Sequence, residues 1–173
     1  MSRKKEHHNP KTRPDLTGEH KFGDAGQLIS LFLFIIVWCG DSLFLQKTIM
    51  FNDVIPLYIH APLGIVLLIC SGYLAIKSIN IVFGERRETP SVIRKGVYGI
   101  IRHPMYVSEI LLYLGLICIS ISLAAIFVLI LIIIFLYSIS RYEEKLLLQR
   151  FGNDYQNYMN ETSMWIPGWR RKK

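Results

Sequence analysis

The sequence predicts an all-α integral membrane protein with about four transmembrane helices. The last two form a tight helical hairpin, followed by a helical C-terminal segment on the cytoplasmic side. Three observations predict this class. Of 173 residues, 51% are hydrophobic and mean hydropathy is +0.33, although 19% are charged. The charges are segregated: residues 110–140 contain no Asp, Glu, Lys, Arg or His. The net charge of +7 comes from basic residues that flank the apolar runs, as an anionic inner leaflet selects. A water-soluble core helix has no need of so long an apolar run, and a disordered chain could not carry this apolar content. The placement of the basic residues points to membrane flanks rather than to a nucleic-acid surface.

Residues 1–26 read as a polar basic arm on the cytoplasmic side. It has no apolar h-region, which predicts no cleavable signal peptide, and Pro10, Pro14, Gly18 and Gly23 argue against a long helix. Residues 27–173 read as a single membrane domain. Its first apolar segment, 27–45, is close to the ~20 residues a span requires. Asp41 interrupts it near its end, where an interfacial, structural role is expected. After a polar link at 46–53, a second segment covers 54–83. Pro56 suits its start, while Pro62 and Gly64 suggest a kink. Lys77 is expected to snorkel and His60 to be a satisfied interior histidine. Cys39, Cys70 and Cys118 lie in apolar segments without CxxC spacing, so buried thiols are expected and no metal site.

An Arg-rich link at 84–103 leads to the apolar stretch 105–140. As one helix this stretch would be about 54 Å long, against a hydrocarbon core of about 30 Å. Two shorter helices in a hairpin put both termini and the 84–103 link on one side, with 18 of the 20 basic residues. One long helix would place the basic residues of 141–173 outside, so the positive-inside rule favours the hairpin. The most polar point, Ser120–Ser122, is the expected turn, although no Pro or Gly marks it.

The hairpin brings two polar elements to one face: Gly96–Tyr106, which reads G-x-Y-x-x-x-R-H-P-x-Y, and Arg141-Tyr142-Glu143-Glu144. Pro104 would open the third helix, with Arg102 and His103 at its mouth and Tyr106 just inside. Read alone, these residues would pass as interfacial anchors and local helix pairs. Their order is more telling. The first motif, an apolar hairpin, E-E-x-x-L at 143–147, F-G-x-x-Y-x-x-Y at 151–158 and a late Ile166-Pro167 together resemble the isoprenylcysteine carboxyl methyltransferase family and its broader phospholipid methyltransferase-like relatives.

That resemblance implies a membrane enzyme using S-adenosylmethionine in a pocket on the cytoplasmic face. By motif, the implied cofactor-binding residues are Tyr98, His103, Pro104, Tyr106, Glu143 and Glu144, and the implied catalytic residues are Arg102 and Arg141. The chemistry is reasonable. Carboxylates can receive the cofactor's ammonium and sulfonium, a cationic or His donor its carboxylate, and Tyr the adenosine. The expected acceptor is a lipophilic or lipidated carboxylate, isoprenylcysteine-like, oriented by Arg102 and Arg141. The alternatives are a phospholipid amine, and outside enzymes a scaffold or carrier in which Asp41 and His60 carry the function. The chain departs from the family at Ile139 and at Met164-Trp165, where relatives often carry Arg. With no G-x-G-x-x-G, a Rossmann-type methyltransferase is disfavoured.

Overall fold

The computed structural model describes residues 21–52, 54–84 and 89–168. The expected arm at 1–20, the basic residues at 86–87 and the tail from 169 lie outside the described residues. The described residues form five α-helices: α1 (Lys21–Cys39), α2 (Leu57–Phe83), α3 (Pro104–Ser120), α4 (Leu123–Phe151) and α5 (Asn153–Glu161). A π-helical turn, Gly40–Leu45, continues α1, and a 3-10 turn, Gly96–Gly99, precedes α3. Helix α1 starts at Lys21, not at residue 27, so the end of the expected arm is helical. Gly26 belongs to this helix because α1 meets α4 there. A Cβ at Gly26 would lie 2.5 Å from Phe135.

Three stretches are long and apolar enough to cross a membrane: Ala25–Leu45, Leu57–Phe83 and Leu123–Phe151. Helix α3 is apolar but shorter. The pairing of the helices follows from their contacts. Ser71 donates to Ser108 O (2.7 Å), Gly64 meets Gly115, and His60 Nδ1 lies 2.6 Å from Cys118 O, so α3 runs antiparallel along α2. A Cβ at Gly64 would lie 2.8 Å from the Gly115 carbonyl, and only glycine permits that approach. Helices α1 and α3 run parallel: Phe34 packs on Tyr113, Trp38 Nε1 donates to Leu116 O (3.0 Å), and Ser42 donates to Ser120 (2.8 Å). Phe34, Tyr113 and Leu136 are fully buried between α1, α3 and α4. Outward residues such as Ile36, Ile69, Ile76, Phe127 and Ile134 are exposed, which suits hydrocarbon and not water.

The apolar stretch 105–140 divides at Ile121–Ser122, as its polarity suggests. Ile121 adopts φ +43°, a conformation that costs a β-branched residue roughly 1–2 kcal/mol. Contacts from elsewhere in the chain hold it. Ser122 caps α4 by accepting from Ala125 N (3.1 Å) and donates to Asp41 Oδ2 (2.6 Å). Thr48 donates to the same carboxylate (2.5 Å) and accepts from Ala124 N (3.0 Å). Asp41 is therefore a clamp between the end of α1 and the hairpin turn. His60 is buried and bonded through Nδ1, while its Nε2 has no partner among the described residues. Contrary to the expectation of buried thiols, Cys70 is exposed and Cys39 and Cys118 are half-buried, because α2 turns Cys70 away from the other helices.

Candidate functional site

At the end of the bundle opposite the Asp41 clamp, the mouth of α3 meets the charged turns of α4. Gly96 takes φ +58°, and a Cβ there would lie 2.7 Å from Ile81, so glycine lets this turn close onto α2. The chain then runs alongside the segment after α5. Ile101 and Ser163 form a parallel bridge, Arg102 N donates to Ser163 O (2.9 Å), and His103 N donates to Met164 O (3.2 Å). Pro104, fully buried, opens α3, where a missing N–H is tolerated.

Four side chains converge here on two adjacent glutamates. Arg102 Nε donates to Glu144 Oε1 at 2.7 Å, and Arg102 Nη1 donates to Met159 O (3.1 Å) and to Thr162 O. His103 faces both acids, with Nε2 3.4 Å from Glu144 Oε1 and Nδ1 3.6 Å from Glu143 Oε2. Tyr106 donates to Glu143 Oε1 at 2.6 Å, and its ring lies parallel to His103, centroids 5.5 Å apart. Arg141 Nη1 reaches Glu144 Oε2 at 3.4 Å. Glu144 is 1% exposed and so requires these partners. Burial opposes its ionisation, but hydrogen bonds from His103 and Arg102, and their charges, outweigh it and hold the carboxyl below the usual glutamate range.

The site therefore unites Arg102, His103, Pro104, Tyr106, Arg141, Glu143 and Glu144. Tyr98 enters through its carbonyl, which accepts from Tyr158 Oη at 2.6 Å. The two implied catalytic arginines differ. Arg102 is held by Glu144 and two carbonyls with its side chain only 9% exposed, whereas the Arg141 side chain is 45% exposed. Arg102 braces the network through its Nε and Nη1.

The structure adds residues that motif reasoning left off the site. Tyr155 and Tyr158 sit at 3% exposure beneath the network, and burial pushes both phenols above their usual range, so they stay neutral. Arg94 ties α5 down, reaching Asp154 at 2.5 Å and the Tyr158 ring at 5.8 Å. Both tyrosines stand in the F-G-x-x-Y-x-x-Y motif, so their spacing was a usable signal. Glu109 lies among apolar residues one turn into α3 and accepts from Tyr113 Oη at 2.5 Å. It follows Tyr106 by three residues and precedes Tyr113 by four, a spacing that already puts all three on adjoining faces of a helix.

The residues present fit S-adenosylmethionine in their chemistry. Glu143, 15% exposed at its side chain, can meet a cationic group, Arg141 can meet a carboxylate, and the parallel His103 and Tyr106 rings offer flat surfaces. Comparisons with curated proteins and with solved structures give no match. The family described as Phospholipid methyltransferase matches over residues 59–154, from the start of α2 through the α3 mouth and both glutamates to the start of α5. That span is more than half of the chain and contains the whole network from Tyr98 to Glu144; the chain belongs to the phospholipid methyltransferase family.

Proposed function

We propose that this chain is a polytopic membrane methyltransferase that takes its methyl group from S-adenosylmethionine at the α3 mouth and transfers it to the amine of a lipophilic acceptor. The observation that carries this reading is the convergence of Tyr106 and His103 on Glu143, and of Arg102, His103 and Arg141 on Glu144, at one end of an apolar bundle. When bound, the cofactor supplies an electrophilic methyl group on a sulfonium. Glu143 holds its cationic end and Arg141 its carboxylate. Glu144 keeps His103 and Arg102 in place, and the segment after α5 walls the mouth through its bonds to residues 102 and 103. Alignment of donor and acceptor and exclusion of water do the remaining work.

We read the acceptor as an amine, where the motifs imply a carboxylate. That expectation has Arg102 and Arg141 orient an anion together, and the Nε and Nη1 of Arg102 are engaged by Glu144 and by the carbonyls of Met159 and Thr162. Arg141 alone supports the carboxylate reading. Membranes given methyl-labelled cofactor distinguish the two acceptors. An N-methylated product keeps its label in mild alkali, whereas a methyl ester releases methanol. Volatile label would overturn the amine reading. Failure of the purified protein to bind the cofactor in detergent would overturn the methyltransferase reading itself.

A further inference from the structure

A groove of about 350 Å³ opens between α1, α2 and α3, with Leu28, Leu31, Ala75 and Leu112 among its apolar walls. This volume lies within the range of small-molecule sites. Two of its polar groups are already occupied: Ser71 donates to Ser108 O, and Ser108 donates to Met105 O. Glu109 is different. Tyr113 donates to its Oε1, while its Oε2 is buried with no partner among the described residues. An unsatisfied carboxyl oxygen in an apolar wall is costly, and a proton on it would itself need an acceptor. A ligand that brings a hydrogen-bond donor on an apolar chain removes the cost. The groove and the candidate site share helix α3: the lining residue Met105 precedes Tyr106 in its first turns, and Glu109 lies one turn further along.

We propose that this groove is the lateral acceptor site and that Glu109 is its specificity-determining acid, receiving the ammonium head of an alkyl-chain amine. This inference rests on the amine reading above and deepens it. The apolar walls hold the hydrocarbon chain. The Glu109 carboxylate, oriented by Tyr113, pairs with the ammonium and takes the proton that the nitrogen must lose. The freed lone pair forms the nitrogen–carbon bond as the carbon–sulfur bond of the cofactor breaks, leaving its electron pair on sulfur. Release of the product returns the proton of Glu109 to water. An anionic head would meet like charge at Glu109 and be rejected.

The test is binding of dodecylamine and dodecanoate to the full chain in neutral detergent micelles, without cofactor. Dodecylamine should bind at least tenfold more tightly than dodecanoate. Glu109→Gln should lose most of this preference while still binding S-adenosylmethionine like the wild type, which also shows that it has folded. Ala75→Leu, which narrows the groove from α2, should weaken dodecylamine and leave the cofactor untouched. Equal dodecylamine affinity in wild type and Glu109→Gln, or a wild-type preference for dodecanoate, would overturn the proposal. Loss of cofactor binding by the wild type would instead sink the methyltransferase reading, and the two failures are read separately.

Discussion

Glu143 and Glu144 are neighbours in sequence with different surroundings. Glu143 is partly exposed and bonded to Tyr106, so Glu143→Gln should fold and weaken S-adenosylmethionine binding by about 1.5–3 kcal/mol, measured by calorimetric titration. Glu144 is enclosed by Arg102, His103 and Arg141. Arg102→Ala leaves that carboxylate buried without its closest partner and should lower stability by about 3–5 kcal/mol, seen as a large drop in melting temperature. Because the folded-state pKa of Glu144 is depressed, its contribution to stability is present above the ordinary glutamate range. It is lost as pH falls through the lower folded value. An acid titration of the melting temperature should therefore show a decline that Glu144→Gln abolishes.

At the scale of single elements, glycines and one acid set the helix spacing. Gly64 and Gly115 bring α2 and α3 together, each opposed by the other's carbonyl within about a van der Waals radius sum of a built Cβ. Gly64→Ala should destabilise by about 1–3 kcal/mol, since the atom it meets is rigid backbone. The turn between α3 and α4 places an isoleucine in a conformation that isoleucine resists. Asp41 holds it through Ser122 and Thr48. Asp41→Ala should therefore loosen a turn far from it in sequence, lowering the melting temperature while changing cofactor affinity little, because the candidate site lies at the opposite end of α3. Equal losses of stability and of cofactor affinity would show that the two ends are coupled.

For the whole molecule, the pairing pattern bears on topology. Helix α3 runs antiparallel along α2 from Cys118 beside His60 to Ser108 beside Ser71. It therefore lies alongside residues 60–71 of α2. We propose four spans with both termini and the 84–103 link on the inner side, on the strength of the basic residues. In a cysteine-free background, single cysteines at the exposed positions Ser91 and Asn157 should be shielded from an impermeant thiol reagent in intact cells. A cysteine at Lys47, on the opposite link, should be labelled. Labelling at Asn157 would refute the hairpin as a pair of spans.

Apolar content and charge segregation were enough, on the sequence alone, to specify helices, their approximate bounds and the hairpin turn, because hydrophobic length and flanking charge are properties of contiguous residues. The R-H-P-x-Y and E-E elements were legible for the same reason, each being a local pattern. The sequence could not show that Arg102 spends its donors on Glu144 and on carbonyls near the end of α5, since those partners lie 42 to 60 residues away. Nor could it show that helix α1 extends back to Lys21, or that Gly26 meets Phe135 of α4. The isoleucine turn is marked by its serines but by no Gly or Pro, because Asp41 and Thr48 supply from a distance the stability that Gly or Pro supplies locally. Glu109 stands within the stretch 105–140 that the sequence reads as apolar. That one of its oxygens is buried without a partner beside a groove is a consequence of three helices packing, and no single stretch of chain contains it.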